Sequence, residues 1–205
     1  NSGNYTSSSN LQAYWNFNAG TGTTLTDQTS NNNDGTISGA SWTGDGAPVT
    51  AATTPTNTYS LNFDGSDDYV DFGDIGDLDD GSVQIWFNYI GSENGQILVK
   101  SVSGVHWGLT VHKPGNIANT NGQVLQLSYA ATGGADYLRY ENVSSNYWYH
   151  VIITRENSSG TISMYVNGSL AEKKTNATPG TPISNSDPLL LGTHNKSVDF
   201  FTGST

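Results

Sequence analysis

The sequence contains no cysteine. This excludes a disulfide framework and any thiolate metal or redox centre. Basic residues are scarce: seven Lys and Arg stand against eighteen Asp and Glu, a formal net charge of −11. The resulting field repels phosphate backbones and anionic lipid surfaces, so nucleic acid is not expected as a partner. No apolar run approaches the ~20 residues a bilayer-spanning helix needs, so no membrane insertion is expected. The chain also opens at Asn1 without the charged and apolar start of a secretory leader, as an excised or mature segment does. Helical periodicity is nowhere sustained, because Gly, Asn, Ser, Thr and Pro interrupt the sequence before three amphipathic turns can form.

What is present is a strand pattern. Hydrophobic residues make up 34% of the chain and aromatics 11%, enough for a sizeable core. Apolar and polar residues alternate at Leu11, Ala13, Trp15 and Phe17, and again at Val83, Ile85, Phe87 and Tyr89. Further strands read at 59–63, 69–72, 97–99, 105–111, 124–129, 137–140, 148–154, 162–166 and 189–191, about a dozen in all. Asn167-Gly168 between Val166 and Leu170 is a two-residue hairpin signal, because both central residues of a type I′ turn need positive φ. Short strands without helical crossovers predict an all-β fold of two stacked antiparallel sheets, a β-sandwich or jelly roll. Residues 1–10 read as a flexible amino-terminal arm, 11–205 as one domain, and 43–58 as a long surface loop.

Four segments, in order, carry a resemblance to a known family. Trp148-Tyr-His-Val-Ile-Ile-Thr154 followed by Gly160-Thr-Ile-Ser-Met-Tyr-Val-Asn-Gly168 resembles the central hairpin of the laminin G-like, concanavalin A-like jelly-roll domains. Leu61-Asn-Phe-Asp-Gly-Ser-Asp-Asp-Tyr-Val70 is similar to their Phe-Asp-Gly strand pair. Gly81 to Phe87 and Gln96 to Lys100 match the next two strands. Asp27 to Gly35 fills the place of an early Asp- and Asn-rich loop. The resemblance covers roughly 11–203 and implies the jelly-roll fold, which hosts lectins, adhesion modules, carbohydrate-binding modules and hydrolases. It also implies a further strand after Asp199-Phe-Phe-Thr-Gly203. Its absence from this sequence predicts an open sheet edge near Leu11–Phe17 that a neighbouring chain or the amino-terminal arm could complete.

Candidate sites follow from residue chemistry. Asp27, Asn31, Asn33 and Asp34, bent by Gly35, offer the hard oxygens that calcium takes, and the family often holds a structural calcium. The same loop also reads as a set of Asx turns in which these side chains bond nearby backbone. Eight aspartates between Asp64 and Asp80 read as a solvated acidic face. Paired-carboxylate hydrolysis is not expected: the only glutamates are Glu93, Glu141, Glu156 and Glu172, and none is followed two residues later by Asp as in the retaining glucanases of this fold. The four histidines are too far apart for a zinc motif, and no Gly-x-Ser-x-Gly elbow is present. Aromatic rings that could cover a sugar are Trp42, Trp86, Trp107 and Tyr137, with Trp15, Trp148 and His150 assigned to the core. These readings together predict a non-catalytic, extracellular, lectin-like module that binds a glycan or polysaccharide and is stabilised by Ca2+. The alternative is a structural or adhesive subunit of a fibre, completed by a strand from a neighbouring copy.

Overall fold

The computed structural model describes residues 10–46, 58–78, 80–100, 107–118, 120–131, 134–175, 186–196 and 199–205. Its strands in chain order are β1 Thr24–Leu25, β2 Gly35–Ser38, β3 Ser41–Thr43, β4 Ser60–Asp64 and β5 Tyr69–Asp71. They continue with β6 Gly81–Tyr89, β7 Gly95–Lys100, β8 Trp107–His112, β9 Gln123–Ala131 and β10 Gly134–Val143. The last five are β11 Tyr147–Glu156, β12 Thr161–Val166, β13 Ser169–Lys174, β14 Leu189–Leu191 and β15 Thr202–Ser204. No helix occurs among the described residues.

Two antiparallel sheets form, of eight strands in the order β1-β2-β5-β14-β7-β8-β9-β10 and of seven in the order β13-β12-β11-β6-β15-β4-β3. This is the predicted β-sandwich. Alternation decides which side chains enter it: in β11, Tyr149, Val151 and Ile153 are buried in the core, while Trp148, His150, Ile152 and Thr154 point to the other face. The core is apolar and aromatic, with Phe63, Phe87, Tyr89 and Phe201 packed around one another at centroid distances of 6.0–6.4 Å for the three pairs that Phe201 makes. The β12–β13 hairpin turns at Asn167 and Gly168, with φ of 51° and 80°, as the dipeptide predicts.

Two sequence expectations change. Residues 11–17 join no sheet; their backbone groups are taken by side chains of the 27–33 loop, which out-compete a ladder that has no neighbouring strand to pair with. The end of the chain also pairs: β15 lies inside the seven-stranded sheet, matching Gly203 to Phe63 of β4 and to Tyr89 of β6. β15 reaches only the Asn88–Tyr89 end of β6, so among the described residues Gly81–Phe87 is paired with β11 alone. Leu11–Phe17, carrying no strand, therefore presents no open sheet edge. The arm at 1–9, the loop at 47–57 and the start of the 105–111 segment lie outside the described residues.

Candidate functional site

The outward face of the seven-stranded sheet is built by register. Ser41 is opposite Asn62, Asn62 opposite Ser204, Ser204 opposite Asn88, and Asn88 opposite Trp148, a row of cross-strand neighbours over five strands. The next row pairs Trp86 with His150, whose rings stack at 4.7 Å and 18°. The His150 backbone is held by Asn167: His150 N donates to the side-chain Oδ1 of Asn167 at 2.9 Å and Asn167 N donates to His150 O at 2.8 Å. A third row carries Gln84, Ile152, Tyr165 and Leu170. Trp86, Trp148, Ile152 and Tyr165 are half-buried, Leu170 is exposed, and none of them belongs to the core cluster.

None of these three rows contains a carboxylate, although the chain holds eighteen. The one histidine in these rows is His150, whose burial pushes it below the ordinary histidine value, so it is neutral at pH 7. Two polar atoms on this face, Asn88 Oδ1 and His150 Nε2, are shielded and carry no hydrogen bond. Buried polar atoms are nearly always paired, which marks these two as unusual. These three rows therefore offer flat apolar rings beside amides and hydroxyls, with the exposed Asp64 carboxylate, opposite Thr202, at their margin. That combination covers the apolar face of a sugar ring and hydrogen-bonds its hydroxyls.

The ring residues expected from sequence do not converge. Trp86 is on this face. Trp107 is 4% exposed and packed in the core, because in β8 it alternates with Gly108 and shares the inward side with Leu109 and Val111; it has no free ring face and is withdrawn as a ligand residue. Trp42 sits on edge strand β3, half-buried against the core, with its Nε1 donating to Gly22 O at 2.9 Å. Tyr137 is 41% exposed on edge strand β10 of the other sheet, with the Arg139 guanidinium 5.8 Å from its ring centroid. Sequence reasoning missed Trp148, Asn88 and Tyr165. The signal was available, since Tyr149, Val151 and Ile153 claim the inward positions of β11 and leave Trp148 on the opposite face.

The 27–34 loop is a clasp. Asp27 is buried and accepts four hydrogen bonds: from Tyr14 N and Thr29 N on Oδ1, and from Thr29 Oγ1 and Asn33 N on Oδ2, all between 2.7 and 3.0 Å. Burial alone raises its pKa, but these bonds overcome that and hold it below the ordinary aspartate value. Asp34 Oδ1 accepts from Asp27 N, while Asn31 and Asn33 turn their amide nitrogens to the Leu11 and Gln12 carbonyls. Calcium needs six to eight oxygens free to converge. Asp27 has both oxygens committed to donors, so the four residues do not fit a calcium shell as arranged here, and they fit the Asx-turn reading. The densest carboxylate group among the described residues is instead Asp64, Asp67 and Asp68, with oxygens within 4.8 Å of one another. There, burial first and then the neighbouring Asp64 and Asp67 charges raise Asp68.

Comparisons place this architecture. Among solved structures, the fold is similar to the binding domain of Paraclostridial Mosquitocidal Protein 1 (12% identity, 88% of this chain, 44% of that chain, TM-score 0.61). It is also similar to domain 4 of AbnA, an extracellular arabinanase from Geobacillus stearothermophilus, solved with arabinotriose (15% identity, 88% and 82% covered, TM-score 0.55). A third is the CBM40 of the Ruminococcus gnavus IT-sialidase, bound to α2,3 sialyllactose (16% identity, 62% and 72% covered, TM-score 0.50). The chain spans less than two thirds of the length of several solved chains it matches. Among curated proteins, none matches the sequence. A sequence profile matches residues 64–204, and with the sandwich topology it shows that the chain belongs to the concanavalin A-like lectin/glucanases superfamily.

Proposed function

We propose that the chain is a non-catalytic, extracellular carbohydrate-binding module that seats a neutral glycan on the outward face of its seven-stranded sheet. The observation that carries this is the uncharged platform of Trp86, Trp148 and Tyr165 beside Asn62, Asn88 and Gln84 in a chain of net charge −11. The AbnA domain solved with arabinotriose and the CBM40 bound to sialyllactose support sugar binding on the same general fold. A non-catalytic role is supported by the platform itself, which offers no carboxylate to act as acid or nucleophile.

A glycan-array screen of the chain, followed by calorimetry on the best hit, tests the reading. Trp86→Ala and Trp148→Ala are each expected to weaken binding at least tenfold, and Tyr137→Ala to leave it within twofold. A folded chain that binds nothing on the array rejects the proposal.

A further inference from the structure

A depression of about 340 Å³ is lined by Asn16, Asn18, Ala19, Leu25, Thr26 and Gln28, none of them a platform residue. We propose that it is a preformed subsite for a single neutral sugar ring, separate from the Trp86–Trp148 platform. Its volume is at the small end of the range that small-molecule sites occupy, about 300–1,000 Å³.

The polar groups suit hydroxyls. Asn16 Oδ1 accepts Asn18 N at 3.2 Å, and among the described residues no hydrogen bond engages the Asn16 amide nitrogen or the Asn18 side chain. Gln28 Nε2 donates to Thr26 O at 3.1 Å, leaving Gln28 Oε1 as an acceptor beside the Thr26 hydroxyl. Leu25 and Ala19 supply the apolar part of the lining. None of the lining residues is ionisable, in a chain that carries eighteen carboxylates. A charged sugar would find no counter-ion there, whereas a neutral vicinal diol finds amide donors and acceptors in pairs.

The two walls are fixed before any ligand arrives. At one end Tyr14 N donates to Asp27 Oδ1 at 2.9 Å and Gln28 N to Tyr14 O at 2.8 Å, joining the Asn16 wall to the Gln28 wall. At the other end Trp42 Nε1 holds Gly22 O at 2.9 Å, and Ile37 N holds Thr23 O at 2.9 Å. The half-exposed ring of Tyr59 lies over Gly20, where a Cβ would come within 2.9 Å of it and φ is 65°. Between the two lining asparagines, Phe17 is held at φ 53°, a conformation that a non-glycine residue keeps only where its surroundings impose it and that concentrates at binding sites. Walls pinned at both ends reduce the ordering a ligand must impose, which strengthens binding by a small site. The Asp27 clasp and Trp42 thereby act as positioning groups for this subsite.

The test is a ¹⁵N–¹H titration of the whole chain with the methyl glycosides of glucose, galactose, mannose, xylose, arabinose and N-acetylglucosamine, with glucuronic acid as the charged comparison. Side-chain amide signals of Asn16, Asn18 and Gln28 are expected to move saturably with at least one neutral sugar and not with glucuronic acid. The Asn18→Ala/Gln28→Ala double variant, at exposed positions that do not touch the core, is expected to weaken that response at least tenfold. Movement of the Trp86 and Trp148 indole signals without the amides overturns the subsite and leaves the platform standing. Amide movement that persists in Trp86→Ala supports the subsite whatever becomes of the platform. Silence of the amides with every sugar, or an equal response to glucuronic acid, overturns it.

Discussion

At the scale of the residue, Asp27 shows how one side chain can look like a ligand in the sequence and act as a bracket in the fold. Its two oxygens collect donors from Tyr14, Thr29 and Asn33, three points across nineteen residues of chain. Asp27→Ala leaves three backbone N–H groups and one hydroxyl to find water from a largely buried position, which is expected to destabilise the fold by roughly 2–4 kcal/mol in urea unfolding. The pH dependence has a definite sign. Because the folded carboxyl titrates below its ordinary value, its stabilisation is fully present above about pH 4 and is lost as pH falls through the folded value. The gap between wild type and Asp27→Ala in denaturant midpoint should therefore narrow on going from pH 6 towards pH 2. The residue types of this loop were legible in the sequence. The donors that reach Asp27 were not, since Tyr14 is thirteen positions away and its backbone direction depends on a segment that declines to form a strand.

At the scale of the element, alternation carried most of the information. Val83 to Tyr89, the 148–154 segment and the Asn167-Gly168 turn all sit where period and turn chemistry put them. Leu11 to Phe17 alternates just as clearly and is not a strand, because alternation reports a face to bury and not a partner to pair with. Trp15 and Phe17 do bury against the core, Trp15 lying tilted against Phe72 at 4.1 Å between ring centroids. The platform was half legible for the same reason: Trp86 was recognisable as a ring, but its neighbours include Asn62 well before it and Trp148, Tyr165 and Ser204 well after it, and register sets them. β15 offers the sharpest test of that register. A Cβ at Gly203, where φ is 151°, would lie 2.0 Å from the Asn88 backbone carbonyl oxygen, and a carbonyl inside a ladder cannot step aside. Gly203→Ala is expected to separate β15 from β6, lowering stability by about 2–4 kcal/mol. Because Ser204 and Asn88 share the platform row, glycan binding should weaken in the same variant even at temperatures where it stays folded. A variant with unchanged melting and unchanged binding contradicts the assigned register.

At the scale of the whole molecule, charge separates the surface into two kinds. Four lysines are paired with carboxylates, Lys100 with Asp74, Lys113 with Glu93, Lys174 with Asp136 and Lys196 with Asp71, which still leaves the chain strongly acidic. An acidic surface keeps such a protein soluble and turns away polyanions. Against this background both candidate sugar surfaces are uncharged, which has a direct consequence for binding. Contacts between rings, amides and sugar hydroxyls are short-ranged and carry no counter-ions, so screening has little to act on, whereas an ionic ligand attracted or repelled by the −11 field responds steeply to salt. Affinity for the best neutral glycan is expected to change less than twofold between 50 mM and 500 mM sodium chloride, measured by calorimetry at pH 7. A large loss of affinity across that range would place an ion pair at the heart of the complex and move the site to Arg139 and Tyr137, where an exposed guanidinium beside a ring is the arrangement that salt would weaken.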